Sequence, residues 1–150
     1  MFQRGASGET TVDMASKALA VKHAVSPIVD ISGGTPATIP LLYATDGMVG
    51  ILAVNLLYLA SGAGSAGAVN IGTAADADAV IDAFDTSITA VAGDVDECTL
   101  ADTLRATYPK SGGYPVLAEG DALIATITAG DSNTGDFVIQ VDYFDIEKGT

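Results

Sequence analysis

The segment ALIATITAGDSNTGDFVIQVDYFDI, residues 122–146, decides the fold class. In residues 122–129 and again in residues 136–144, an apolar or aromatic side chain occupies every second position, and the positions between are mixed. This period of two is typical of a β-strand that buries one face, because successive side chains of a strand point to opposite sides. The loop GDSNTG, residues 130–135, separates the two runs, so we predict that they pair as a β-hairpin.

The residues before this segment repeat the pattern in shorter units. From residue 26 onward, apolar runs rich in Val, Ile, Thr and Tyr alternate with Gly, Pro, Asp and Ser, a composition typical of strands and turns. The stretch SGGTP, residues 32–36, is one such turn, since its glycines can adopt positive φ and its proline fixes the exit. The predicted strands are residues 28–31, 37–44, 49–59, 68–73, 80–84, 87–91, 103–107, 122–129 and 136–146.

These short, regularly spaced strands predict an all-β protein built as an antiparallel β-sandwich. Long strands near both ends favour the jelly-roll type. An immunoglobulin domain is disfavoured because the chain has no Trp and only one Cys.

The first 25 residues differ in composition from the rest. They are small and polar, with a weak helical stretch over residues 12–25 that has no strong apolar face. We therefore divide the chain into an N-terminal arm or short helix, residues 1–25, and a jelly-roll β domain, residues 26–150. The start of the chain lacks the apolar core of a signal peptide, which predicts synthesis in the cytoplasm.

The charge of the chain narrows the choice of partners. Nineteen acidic residues oppose six basic ones, which gives a net charge of −13. Residues 1–25 hold three cations and two carboxylates, so they carry +1 and the remainder carries −14. An acidic body repels phosphate backbones, so we do not expect nucleic acid as a partner.

The apolar run at residues 48–60 raises the question of a membrane span. A single span needs about 20 apolar residues, flanked by cations that fix its orientation. This run is shorter, Asn55 interrupts it, and no Lys or Arg lies close to either end. We do not expect a membrane partner.

Two kinds of motif offer sites for a cofactor or a metal. GAGSAG, residues 62–67, fits the dinucleotide pattern G-x-G-x-x-G, but β-branched residues and another glycine follow where the phosphate-binding helix should begin. The acidic residues 76–78 and 94–97 could supply oxygen to calcium, yet neither completes an EF-hand loop. We predict an inter-strand loop and solvated turns, and no cofactor.

The chain has few side chains that could act in catalysis. His23 is the only histidine and lies in the predicted arm, where a general base would be poorly held. Cys98 is the only cysteine, and the neighbouring Asp96 and Glu97 should raise its pKa and reduce its reactivity. We predict that the chain is not an enzyme and that it has no catalytic residues.

The loop YPKSGGYP, residues 108–115, contains two Tyr-Pro steps around a pair of glycines. Exposed tyrosines on such a loop can anchor a protein partner or a sugar ring, although such rings more often close the edge of a sandwich. The loop leaves open an alternative function, that of a carbohydrate-binding or receptor-binding β-sandwich module.

Several segments together resemble the jelly-roll proteins that decorate, or cement, the capsids of tailed bacteriophages. The resemblance lies in the order of IVDISGGTP (28–36), the run at 51–59, VNIGTAADAD (69–78), AEGDALI (118–124) and the closing strand at 137–143. It implies a structural virion protein that binds the lattice of the major capsid protein as a homotrimer, often through an N-terminal arm. It also implies a place on the outer surface of the virion, after synthesis in the host cytoplasm.

No catalytic residues come with this resemblance, so the functional residues can be assigned only to segments. Residues 1–25 match the family's arm by position and composition. The residues that we predict to contact a partner are Phe2, Arg4, Lys17, Lys22, His23, Tyr108 and Tyr114.

Overall fold

All regular secondary structure in the described part of the chain is β-strand. The computed structural model describes residues 20–30, 37–61, 67–86, 91–100, 114–128 and 135–146. Within these ranges no helix is long and apolar enough to cross a membrane. The strands are β1 (Lys22–Val25), β2 (Val29–Asp30), β3 (Ala37–Tyr43), β4 (Met48–Tyr58), β5 (Ala68–Gly72), β6 (Ile81–Asp85), β7 (Val95–Glu97), β8 (Val116–Leu117), β9 (Ala122–Thr128) and β10 (Asp136–Ile146).

The strands form two antiparallel sheets. Sheet A has the order β1-β10-β4-β7, with β2 beside β10 and β8 beside β4. Sheet B has the order β3-β9-β5-β6. When β1 with β2, and β7 with β8, are each taken as one interrupted strand, the described residues form eight strands in two sheets. The chain passes between these sheets in jelly-roll order. The predicted fold class is confirmed.

Strand alternation builds the core between the sheets. Phe137, Ile139 and Val141 of β10 are fully buried, and they lie opposite the equally buried Tyr58, Leu56 and Val54 of β4. Sheet B supplies the facing layer. Its buried residues include Val69, Ile71, Leu123, Ala125 and Ile127.

The predicted hairpin between the last two long strands is wrong, although both strands are present. β9 pairs with β3 and β5, whereas β10 pairs with β1, β2 and β4. The two strands therefore lie in different sheets. Alternation requires only that each strand turn its apolar face to the core. Six loop residues are enough to cross the roughly 10 Å between packed sheets.

The end of the predicted arm belongs to the sandwich. Lys22–Val25 forms β1 and pairs with β10 from Gln140 to Tyr143, so the last four residues of the helical stretch predicted for residues 12–25 are a strand. Ala24 packs against the core, so even this short segment follows the alternation of a strand. Residues 1–19 lie outside the described residues, so the division at residue 25 otherwise stays a prediction.

Other predicted strands differ in detail. Of the first, Val29–Asp30 is a strand, Ile28 is not, and residue 31 lies outside the described residues. Residues 103–107 and all but the last residue of 87–91 also lie outside them. Sequence reasoning missed Val95–Glu97 and Val116–Leu117. The former has acidic residues at two of its three positions, and the latter has only two residues, so neither shows a period.

A serine and a proline interrupt the edge of sheet A between β1 and β2. The Ser26 N–H donates to the Ile139 carbonyl at 2.9 Å, and the Ile139 N–H donates to Ser26 Oγ at 2.9 Å. The Ser26 hydroxyl in turn donates to the Pro27 carbonyl at 2.7 Å. A side-chain oxygen thus replaces a strand carbonyl where the chain kinks. Proline at such an edge blocks pairing with another strand.

Candidate interaction surface

The outer face of sheet A carries an apolar band. Because the core residues of β10 point inward, Val138 points away from the core, opposite Leu57 of β4. Leu57 lies opposite Val95 of β7, which is 60% exposed. Val25 of β1 is 59% exposed and lies opposite Gln140, in the next row of the same face. We call Val25, Leu57, Val95 and Val138 the apolar band.

Amides lie beside the band, and charges lie at its rim. The adjacent row crosses the sheet from Val25 through Gln140 and Asn55 to Glu97. Along β10, Asp136 and Asp142 flank Val138 and Gln140, one toward each end of the strand. The centre of this face is therefore uncharged among the described residues, and the charges surround it. An apolar centre with a polar rim is the usual anatomy of a protein interface.

The outer face of sheet B has the opposite character. Thr38, Thr126 and Asn70 form a polar row across β3, β9 and β5, and Thr128 is exposed at the end of β9. An antiparallel sheet with one solvated face usually shows such polar residues on that face. Sheet B follows this rule along this row, although Pro40 and Ile124 in the next row are apolar and Tyr43 is 61% exposed. Sheet A departs from it across four strands. The departure identifies the outer face of sheet A as the candidate interaction surface.

His23 lies at the rim of this surface, opposite Asp142. Its Nδ1 is 2.6 Å from Asp142 Oδ1, and Gln140 Nε2 donates to the same oxygen at 3.0 Å. Partial burial works to raise the pKa of Asp142, but hydrogen bonds from Gln140 and His23 outweigh it and hold that pKa below its usual value. His23 is therefore fixed in a polar cluster that borders the apolar band.

Lys22, the neighbour of His23, points to the other side of β1. It lies opposite Tyr143, which packs against the core, and its ammonium pairs with the Asp145 carboxylate. The hydrogen bond from Lys22 to Asp145 raises the pKa of Lys22. The residue lines an open cleft of about 370 Å³ that also includes Tyr43 and Asp46. The structure does not bring Lys22 and His23 together at one site.

Tyr114 lies near the opposite edge of sheet A, just before β8. Its ring meets Phe144 edge-on, with 6.3 Å between ring centroids and 82° between planes. Ile51 points into the core, so the preceding residue, Gly50, faces outward. A Cβ atom added to Gly50 would lie 2.3 Å from the Phe144 ring, which shows how closely this ring covers the strand. The pair formed by Tyr114 and Phe144 covers the end of the outer face of sheet A that lies beyond the apolar band.

The remaining predicted contact residues, Phe2, Arg4, Lys17 and Tyr108, lie outside the described residues. Sequence reasoning missed the apolar band, although a signal was available. The run at residues 48–60 has apolar residues on both faces of what proves to be β4, and a strand of this kind is usually covered on both sides.

The described parts of the cofactor and metal motifs lie in ordinary elements of the fold. Gly67, the last residue of the G-x-G-x-x-G match, leads directly into strand β5 where a phosphate-binding helix would be needed. Asp94 caps a turn by accepting the Val91 N–H at 2.8 Å. A hydrogen bond with Asp78 raises the pKa of Asp76. Within the described ranges, no three His, Cys, Asp or Glu side chains are placed to hold a metal ion.

Cys98 is part of the core. It is 2% exposed, and burial, followed by the charges of Asp96 and Glu97, raises the pKa of Cys98 to about 12. The acidic neighbours act in the direction that the sequence predicted, but burial has the larger effect. The thiol is protonated at neutral pH and therefore a poor nucleophile.

Comparisons with known proteins give a structural similarity. No family model and no curated protein sequence matches the chain. A chain of the cyanophage Pam1 capsid asymmetric unit is similar in structure, with a TM-score of 0.50 and 16% sequence identity over 84% of this chain and 85% of that one. At this identity the similarity establishes a shared fold.

Proposed function

We propose that the chain is a structural virion protein that decorates and stabilises a phage capsid by binding the lattice of the major capsid protein. The observation that carries this proposal is the jelly-roll fold, shared over 84% of the chain with a chain of a phage capsid. Fold alone does not determine function. The apolar outer face of sheet A adds independent support, because such a face indicates a protein that works in an assembly.

In this proposal the chain is a homotrimer on the outer surface of the virion, made in the host cytoplasm. Residues 1–25 carry +1 while the body carries −14, so the arm lacks the net negative charge of the rest of the chain and is the segment that we assign to lattice contact. Arg4 and Lys17 supply most of that positive charge and Phe2 an apolar anchor. The acidic body then faces solvent.

The proposal includes no catalytic step. The two residues that the sequence offered for catalysis have other roles. His23 is held at the rim by Asp142, at 2.6 Å, and the Cys98 thiol is buried in the core. Each has a structural explanation in its observed environment.

The alternative function is that of a carbohydrate-binding module, in which Tyr108 and Tyr114 would hold the sugar. Tyr114 is 38% exposed and its ring packs against Phe144, so the residue links the β8 edge to β10. The contact with Phe144 gives Tyr114 a structural role that does not depend on a sugar.

The test is co-sedimentation with capsids assembled from the major capsid protein of the phage that encodes the chain. We expect saturable binding by the full chain and loss of binding when residues 1–19 are removed. The truncation stops before residue 20, because Lys22–Val25 is part of sheet A and its loss would expose β10. The melting curve of the truncated protein should match that of the full chain.

Two results would count against the proposal. Full-length chain that stays in the supernatant at saturating concentration would contradict capsid binding. Undiminished binding by the truncated protein would contradict the role of the arm and direct attention to the body.

A further inference from the structure

We infer that the outer face of sheet A faces the rotation axis of a homo-oligomer, so that the apolar band of one copy packs against the same face of its neighbours. The inference deepens the proposed function and rests on it for the expectation of a homo-oligomer. It commits the band to contact between copies of this chain and leaves capsid binding to other surfaces.

The first reason is that the groups on this face can pair with themselves. In a closed symmetric oligomer, residues close to the rotation axis meet the same residues of the other copies. Apolar side chains such as Leu57 and Val138 satisfy this condition. So do Asn55 and Gln140, because each amide is both a donor and an acceptor. These four residues are neighbours at the centre of the face.

The second reason is charge. Each copy carries −13, so two copies repel unless they meet at an uncharged surface. The centre of the outer face of sheet A provides one, with Asp136, Glu97 and Asp142 at its rim and Asp142 hydrogen-bonded to His23. An acidic residue at the centre would instead meet its own copy across the axis.

The third reason is the contrast with sheet B, the other broad face of the sandwich. Thr38, Thr126 and Asn70 give that face a polar row suited to water. Part of sheet B is also covered by the chain itself, since a Cβ on Gly72 would lie 2.1 Å from the Asp76 carbonyl oxygen. Burial against another copy is thus favoured at sheet A.

The test compares matched substitutions on the two faces by size-exclusion chromatography with light scattering. The wild-type mass should be a small multiple of the 15.0 kDa subunit, with three copies expected. Leu57→Glu places one acidic charge per copy at the centre of the band, and its mass should fall to one subunit. Thr126→Glu places the same charge at the centre of sheet B and should leave the mass unchanged. Circular dichroism checks that both variants are folded.

A second measurement does not depend on a disruptive charge. Asn55→Cys places a thiol near the proposed axis, so mild oxidation should link two copies by a disulfide, whereas Thr126→Cys should remain unlinked. Cys98 does not interfere because it is buried. A monomeric wild type, or a Leu57→Glu variant that keeps the oligomer together with an unlinked Asn55→Cys variant, would overturn the inference.

The outcomes separate this inference from the proposed function. A monomeric chain that still co-sediments with capsids would refute the axis contact and keep capsid decoration. An oligomer that forms through sheet A but does not bind capsids would support the axis contact and refute capsid decoration.

Discussion

Substitution of Ser26 by Ala tests how the interrupted edge of sheet A is held. The change removes the only side-chain oxygen at the kink between β1 and β2, and with it the acceptor for the Ile139 N–H at 2.9 Å. Ser26 is 7% exposed and Ile139 is fully buried, so water cannot readily replace the lost hydroxyl. The backbone bond from Ser26 to the Ile139 carbonyl remains.

The expected loss of stability follows from these contacts. A buried donor left without an acceptor costs about 1–3 kcal/mol. In a chain of this length, 1 kcal/mol lowers Tm by about 2–4 °C, so Ser26→Ala should melt about 2–12 °C below the wild type. Ser26→Thr keeps a hydroxyl and should recover part of the loss.

Thermal unfolding followed by circular dichroism, at one fixed protein concentration, measures the effect. The concentration must be fixed because association of copies shifts Tm. The control is Ser61→Ala, at an exposed position, where we expect a change within about 0.5 kcal/mol. If Ser26→Ala is no less stable than this control, the hydroxyl does not hold the edge and the reasoning is refuted.

Three further predictions concern the core and the rim. Gly72→Ala should cost about 1–3 kcal/mol in urea unfolding, because its Cβ would lie 2.1 Å from the backbone oxygen of Asp76; an unchanged midpoint would show that the covering loop moves freely. Cys98 should resist a thiol reagent in the native protein and react on unfolding, since the thiol is buried with a pKa of about 12; rapid native labelling would contradict its burial. The pKa of Asp142 is lowered by folding, so its contribution to stability is present above its usual value and is lost as pH falls through the folded value. Asp142→Asn should therefore lose less stability than the wild type in acid unfolding as the pH falls below about 4, the usual pKa of an aspartate, and equal losses would show that the cluster with His23 does not stabilise the fold.

Most of the fold follows from period-two alternation. β3, β4, β5, β9 and β10 all begin and end within a few residues of the predicted bounds. Each has enough residues for alternation to be visible, and each buries one face against the other sheet. The jelly-roll class then follows from strand number and spacing.

The alternation of apolar residues does not predict which strands pair with each other. β9 and β10 show this, because each buries the predicted face but they lie in different sheets. A strand of four residues such as β1 escapes detection for a related reason. It has too few residues for a period, and its structure depends on the open edge of β10.

The candidate site could be predicted only in part. His23 lies at the rim of the interaction surface and Tyr114 at its end, but Lys22 points to the other side of β1. The apolar band joins residues from four strands, and only the register of the sheet brings them together. Sequence showed that Leu57 and Val138 were apolar, but it did not show that both point away from the core.

Electron cryomicroscopy of the phage capsid, with and without the chain, tests the proposed function most directly. Capsid decoration predicts chain-sized density at symmetry-related positions on the outer surface, present only when the chain is added, with the acidic body outward and sheet A facing a local symmetry axis. Identical maps at saturating concentrations of the chain would contradict it.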